Sequence, residues 1–428
     1  MALRTPPPAR PREDDDAPSL RERVGGTVTH WVQRADTPAT SFYLLAATTG
    51  VLVVLGLVMV LSSSSVESME AGRSPYSQFT SQLVFAVLGV PLAYAASRVP
   101  VHVWKALAWP AVGLAACLQA LVFTPLGVEV NGNRNWIGVG SFTLQPAEFV
   151  KLALAVWCAA VLVRKGPLLR DWRHVVVPVV PVGGFVLGLV LLGHDLGTGL
   201  VVMAVVVAAL WVGGVPLKTL AVPGGALALV AGVLVLSSPN RMRRIGDWLS
   251  GDCDVLGACY QSAHGLAALA GGGVTGLGLG SSREKWSYLP EAHNDFIFSI
   301  IGEELGLVGT LLVLLLFAAL AVGCMRVIRR HPDPFAKVAT AGVMAWVVGQ
   351  ACINMAVVLG LLPVIGVPLP FVSSGGSALV ATLLAMGVVL SFARTEPGAA
   401  ELLATRAGVV RRSLVVAASA RGGRRGAR

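Results

Sequence analysis

The sequence predicts an all-α fold: a polytopic integral membrane protein of about ten transmembrane helices. Three observations lead there. Of 428 residues, 55% are hydrophobic and only 13% charged, with a mean hydropathy of +0.72, far from the balance of a soluble domain. Apolar stretches of about 20 residues, the length that spans a bilayer's hydrocarbon core, recur along most of the chain. Between them, basic residues collect in alternate short loops, the pattern that orients membrane helices.

Residues 1–40 are rich in Pro, Arg and Asp and read as a disordered cytoplasmic tail without the pattern of a cleaved signal peptide. The membrane domain covers 41–395. Its expected spans are Phe42–Leu61, Phe79–Ser97, Val103–Phe123, Leu144–Val163, Val175–Leu192, Leu196–Val212, Leu217–Leu236, Phe296–Val322, Val338–Leu361 and Ser377–Ala393. Almost nothing separates the two segments around Asp195, so nine or eleven spans remain open. A long extracytoplasmic loop runs over 238–292, and 396–428 forms a basic cytoplasmic tail. Arg98, Lys105, Arg164, Lys165, Arg170, Arg173, Lys218, Arg326, Arg329, Arg330 and Lys337 share one side with both tails, which places both termini in the cytoplasm. The net charge of +10 is therefore juxtamembrane charge facing anionic lipid. No folded soluble domain carries it, so nucleic acid is not an expected partner. Cys117, Cys158, Cys324 and Cys352 fall in or beside spans and read as small packing residues. Cys253 and Cys259 share the outer loop and form either a small disulfide loop or two free thiols.

The polar motifs gather on the outer side. Glu148 and Lys151, three apart on a helix, share a face and serve either as a structural ion pair or as a site. Asp195 in "HDLGTG" either N-caps a span or lines a cavity. "NGNRNW", with Arg134 and Asn135, suits an Asn/Gly turn. "PNRMRRI" supplies Arg241 and Arg243. "SSGGS", with Ser373, Gly375 and Gly376, suits close helix approach. The stretch "YLPEAHNDFIFSIIGEELGLVG" is the most unusual. Asp295 opens a span beside Glu291 and His293, with Arg283 and Lys285 just upstream and Glu303 and Glu304 inside the helix. A helix N-cap needs one such group, not three, and a carboxylate at a half-dry mouth has the raised pKa a general base requires. No P-loop, HExxH or Cys/His cluster is present, so ATP-driven pumping and metal-dependent hydrolysis are not expected. These residues fit either an ion-coupled transporter or an enzyme acting on a lipid-linked substrate.

Taken in order, "NGNRNWIGVGSFTLQPAEFVKLAL", "DLGTG", "PNRMRRI", "GGGVTGLGLGSSREKWSYLPEAHNDFIFSIIGEELGLVG" and "GLLPVIGVPLPFVSSGGSALVA" resemble the SEDS family, the FtsW, RodA and SpoVE proteins, over roughly 40–395. "LPEAHNDFIF" joined to "GEELG", with the basic, proline-rich tail, places the chain nearest the division-type FtsW branch. The resemblance implies the ten-span SEDS fold and a peptidoglycan glycosyltransferase that polymerises lipid II into β-1,4 glycan strands at the outer face of the cytoplasmic membrane, at the division septum. It implies a class B penicillin-binding protein as transpeptidase partner, besides other division proteins and membrane lipid. Asp295 carries the catalytic role, as the general base of an inverting displacement of undecaprenyl pyrophosphate. Glu148, Lys151 and Asp195 line the cavity, and Asn135, Glu291, His293, Ser373, Gly375 and Gly376 join them as substrate-binding candidates with the nascent glycan strand. Lys151, Arg134, Arg241, Arg243 and Lys285 are the cations available to the leaving pyrophosphate, and a divalent cation, Mg or Mn, is the one cofactor left open. Two positions depart from the family pattern: His194 stands where a proline is usual, and Ser374 where a tyrosine is usual. A lipid II flippase and a non-enzymatic division scaffold are the competing functions. Both would tolerate neutralisation of Asp295.

Overall fold

A computed structural model describes residues 37–405 except 131–132, 141, 222–223, 226–231, 233–235, 237–238, 251–253, 255–256 and 258. Eight of its helices are long and apolar enough to cross a membrane: α1 (Thr40–Glu70), α2 (Ser77–Ala96), α3 (Val101–Leu121), α4 (Pro146–Lys165), α5 (Trp172–Leu192), α9 (Ile297–Arg330), α10 (Pro334–Val358) and α11 (Gly376–Arg394). A shorter apolar helix, α6 (Leu196–Val212), stands with them. Two further helices, α7 (Pro239–Ser250) and α8 (Tyr260–Gly271), belong to the connection before α9. The expected seventh span, Leu217–Leu236, lies mostly outside the described residues, as do both tails beyond 37 and 405.

Helix α4 is the axis of the bundle. It packs against α3, α6, α10 and α11 and is buried almost all round, including Trp157, Leu154 and the pair Glu148 and Lys151, as a helix apolar on every face should be. Helices α2, α3 and α5 bury only thin stripes. Val84, Val87, Leu88, Leu114, Val177 and Phe185 point outward, the surface a bilayer would cover. Small residues set the closest approach: a Cβ on Gly387 of α11 would stand 2.5 Å from the Ala93 carbonyl of α2. Of the four cysteines read as packing residues, Cys158 and Cys324 are buried, whereas Cys117 and Cys352 are exposed, a correction that follows from their places on outward stripes.

Two helices differ from their sequence expectations. Helix α1 runs on to Glu70, past the expected end at Leu61, because Ser63 and Ser64 donate back to the Met59 and Val60 carbonyls at 2.8 and 2.6 Å instead of breaking the helix. Helix α9 is interrupted at Gly306, which has φ 65° and ψ −161°. The glycine-rich segment after α8, a run of turns with Gly273, Gly276, Gly278 and Gly280 at positive φ, fills the break. Leu277 and Gly278 donate to the Glu303 and Glu304 carbonyls at 2.9 and 3.0 Å, and Leu307 and Val308 donate to Gly273 and Val274 at 2.9 and 3.2 Å.

Between α3 and α4 the chain forms a three-stranded antiparallel sheet, β1 (Gly127–Val130), β2 (Asn133–Val139) and β3 (Phe142–Leu144), in the order β1-β2-β3. At the opposite end of the bundle, Lys105 pairs with Asp333 at 2.6 Å and His331 Nε2 meets Thr395 Oγ1 at 3.0 Å. These contacts bring the start of α3, the loop between α9 and α10 and the end of α11 to one end of the bundle.

Candidate active site

Asp295 lies outside the spanning segment, in the tight turn whose last residue, Phe296, N-caps α9. Glu291 opens that turn in the left-handed region at φ 56° and accepts the Asn294 amide at 2.6 Å. Three successive carbonyls of the turn are held from the α10 side of the bundle. Ser374 N donates to His293 O at 2.9 Å, Ser373 Oγ donates to Asn294 O at 2.6 Å, and Asn354 Nδ2 donates to Asp295 O at 2.7 Å. Gly366 forms a wall: a Cβ there would sit 3.5 Å from Asp295 Oδ2.

The electrostatics suit a proton acceptor. Burial pushes the Asp295 carboxyl up to about 7, and the negative charges of Glu291 and Asp195 add to the rise. His293 and Arg244 pull the other way. Arg244 belongs to α7, and it and Trp248 one turn later fasten that helix to the loop after α10, donating to Val364 O at 3.2 Å and Gly360 O at 3.0 Å. His293 Nδ1 is 2.8 Å from Glu67 Oε2, a contact of ion-pair length whose angle falls outside ordinary hydrogen-bond geometry; the distance makes it an electrostatic pairing.

Behind the turn lies a second polar layer. Lys151 Nζ donates to Glu148 Oε1 at 2.7 Å and to Gln350 Oε1 at 3.0 Å, and stands 4.8 Å from the centre of the Trp346 ring. Gln350 in turn donates to Pro368 O at 2.8 Å. The other Glu148 oxygen has no hydrogen-bond partner among the described residues, and Glu148 borders a cavity of about 20 Å³ lined also by Gln350, Pro368 and Ser374, enough for one water.

A family model described as "Cell cycle protein", that of the FtsW, RodA and SpoVE proteins, matches residues 42–397. The chain belongs to this family. It is 38% identical over 379 residues to a probable peptidoglycan glycosyltransferase FtsW of Mycobacterium tuberculosis, covering 88% of this chain and 71% of that one. It is 37% identical to the stage V sporulation protein E of Bacillus subtilis, covering 82% and 96%. Among solved structures, a chain from "Structural coordination of polymerization and crosslinking by a peptidoglycan synthase complex" matches with a TM-score of 0.68 at 31% identity, over 82% of this chain and 96% of that one. The rod shape determining protein RodA of Thermus thermophilus matches with a TM-score of 0.62 at 29% identity, over 83% and 97%.

The sequence candidates of this FtsW/RodA/SpoVE chain separate into groups. Asp295, Glu291, His293, Asp195 and Ser373 converge on the turn. Asp195 is also a satisfied N-cap of α6, accepting from Thr198 N and Oγ1 at 2.8 and 2.7 Å and from Gln145 Nε2 at 3.2 Å. Gly375 and Gly376 open α11, where Gly375 N donates to Gln82 Oε1 at 3.1 Å. Arg134 caps α3 instead, its guanidinium donating to Val122 O and Thr124 O at 3.0 and 2.9 Å. Asn135 beside it is fully buried, and among the described residues neither its amide oxygen nor its amide nitrogen has a hydrogen-bond partner. Lys285 is buried beneath the turn, donating to Gly280 O at 2.7 Å and Glu304 Oε1 at 3.2 Å. Arg243 is exposed on α7, and the Arg241 side chain lies outside the described residues. Cys259 is disulfide-bonded, while Cys253 lies outside the described residues.

Sequence reasoning missed Arg244, Gln350 and Asn354. Arg244 was legible as the residue three after Arg241, hence on one helical face with it. Gln350 and Asn354 were legible as polar residues within an apolar span, a functional signal in itself. Among the described residues, no three His, Cys, Asp or Glu side chains form a group that could hold a metal, and Asp195 already spends both oxygens on its cap. No step is derived through a metal ion.

Proposed function

We propose that this multi-pass membrane protein is a peptidoglycan glycosyltransferase of the division type, polymerising lipid II at the outer face of the cytoplasmic membrane. The observation that carries the reading is the Asp295 carboxyl, held at a buried mouth and pushed up to about 7 between Glu291, Asp195 and Arg244. A group titrating near the working pH exchanges protons with least loss of driving force. Asp295 accepts the proton of the acceptor sugar's 4-hydroxyl as that oxygen attacks the anomeric carbon of the donor. Lipid II is α-linked to pyrophosphate and the product is β-linked, so one displacement inverts the centre and one base suffices. Charge then develops on the departing pyrophosphate. Arg244, exposed and electrostatically coupled to Asp295, is placed to meet it, whereas Lys151 and Lys285 are committed to buried carboxylates.

The names of the FtsW relatives support the same reaction, and the match to a chain of a peptidoglycan synthase complex supports a class B penicillin-binding protein as the crosslinking partner. The test is polymerisation of lipid II by the purified chain with its transpeptidase, crosslinking blocked by a β-lactam. Wild type makes polymer and Asp295→Asn does not. Equal polymer from both would remove Asp295 as the base.

A further inference from the structure

We propose that Asn354 is a positioning residue that sets the catalytic turn of Asp295, an inference that rests on the glycosyltransferase reading. Asn354 is on α10, 1% exposed, one turn after the buried Gln350 in an otherwise largely apolar helix. Its amide nitrogen donates to two carbonyls from different segments: Asp295 O at 2.7 Å and Val367 O at 2.8 Å. The first belongs to the base itself. The second is the neighbour of Gly366, the residue facing the Asp295 carboxylate. One side chain therefore fixes both the backbone that carries the carboxyl and the loop that walls it.

The arrangement is specific to a donor. Both amide hydrogens find oxygens, while Asn354 Oδ1 has no hydrogen-bond partner among the described residues, so the donor function is the one the site uses. A polar side chain inside a span is costly unless its hydrogen bonds are made, and its two donor bonds go to the turn and to the loop before α11 rather than to a neighbouring helix. Ser373 completes the device from the next loop, donating to Asn294 O while accepting from Leu369 N at 2.8 Å. With Ser374 N on His293 O, consecutive carbonyls 293, 294 and 295 are each pinned. With these three carbonyls held, the turn around Asp295 has little freedom to rotate, and the carboxyl inherits that rigidity. Transfer of a proton to a base demands placement within a few tenths of an ångström, and a shift of about 1 Å costs about 10²-fold in rate.

A residue acting this way leaves a signature that a simple packing residue does not. Releasing Asp295 O loosens the turn and admits water to the carboxylate, so its pKa falls toward the ordinary carboxylate range. The charges of Glu291, Asp195, His293 and Arg244 are more screened in that state. The experiment takes the full chain with its transpeptidase and lipid II, and measures kcat, KM and the pH profile for wild type, Asn354→Ala and Ser373→Ala. Hydrogen–deuterium exchange of the 291–299 segment is followed in the same preparations. Expected are a kcat lowered about 10²-fold in Asn354→Ala, a KM within about twofold of wild type, an acid limb displaced to lower pH, and faster exchange at 293–298. Ser373→Ala gives the same pattern, more weakly. An acid limb in its wild-type place, with exchange at 293–298 unchanged, overturns the proposal even where kcat falls, since that fall then reports folded fraction. A wild-type chain that makes no polymer strikes the function proposed above, and the exchange measurement alone then decides the role of Asn354.

Discussion

Lys285 and Glu304 form an ion pair of 3.2 Å in which the side chains are 4% and 0% exposed. Glu304 also accepts from Ser62 Oγ at 2.7 Å and Ser282 N at 3.4 Å, and its neighbour Glu303 accepts from Ser282 Oγ and from Arg283 N. The two acids within "GEELG" thus tie the segment leading to the catalytic turn onto α1 and α9. Removing one partner of a buried pair strands the other charge, at about 3–5 kcal/mol. Glu304→Gln is expected to lower stability on that scale in detergent-solubilised protein, read by thermal unfolding. Lys285→Met combined with Glu304→Leu should cost less than Glu304→Gln alone. Additive losses would mean the pair is not coupled.

Gly276 sits where that segment fills the break in α9. Its φ of 79° favours glycine, and a Cβ would stand 2.2 Å from the Glu304 carbonyl. Both obstacles are backbone, so neither yields cheaply. Gly276→Ala is expected to separate the glycine-rich segment from the helix, seen as rapid exchange of the Leu277 and Gly278 amides and a lower melting temperature. Unchanged protection of those amides would contradict the pairing.

Much of this was legible in the sequence, because the spans advertise themselves by length and apolarity. Asp295 stood out for a similar reason, as a polar cluster at the edge of an apolar run. The sheet did not show, since "NGNRNW" offers turn residues and its strands are short, β3 having only three residues. The break at Gly306 was hidden because "GLVG" continues an apolar run, and what interrupts it is a glycine-rich turn segment some thirty positions earlier, hydrogen-bonded across the break. Asn354 escaped notice for the opposite reason: one polar residue hardly alters a span's hydropathy, and its meaning depends on a turn about sixty residues upstream.

His194 adopts φ 64° and donates its backbone N–H to Leu191 O at 3.0 Å. A proline can do neither, since its ring holds φ near −65° and it has no N–H. His194→Pro is therefore expected to disturb the entry to α6 and the Asp195 cap, lowering stability by about 3 kcal/mol or more, whereas His194→Gly should be neutral or stabilising. Comparison of the two melting temperatures checks this. A proline variant as stable as wild type would show that the backbone takes a different path there.

Glu148 and Lys151 test whether a buried pair is structural. Both lie below 3% exposure and share Gln350 with the loop before α11. Glu148→Gln and Lys151→Met are each expected to cost about 3–5 kcal/mol, and a double-mutant cycle should show strong coupling. If the pair acts only through stability, the double variant regains polymerisation in proportion to its folded fraction. A folded double variant without activity would place Lys151 or Glu148 at the substrate.

The raised pKa of Asp295 makes opposite demands on stability and activity, and this separates its role from that of a structural acid. Burial pushes the carboxyl up to about 7 in the folded chain, against about 3.8 for an aspartate in the unfolded chain. Between those values the unfolded chain has lost its proton while the folded chain keeps it. Stability therefore falls as pH rises from about 4 to about 7, and is level above. Asp295→Asn, which cannot ionise, escapes that loss. It should melt with wild type below pH 4, increasingly above it from there to pH 7, and by a constant margin at higher pH. Polymerisation runs the other way: only the ionised form accepts a proton, so the wild-type rate rises through about pH 7 while the variant stays inactive throughout. A variant both more stable at pH 8 and inert is what burying a base for catalysis entails. If Asp295→Asn melts below wild type at pH 8, the carboxylate is stabilised by partners rather than strained by burial, and its assignment as a base tuned to neutral pH fails.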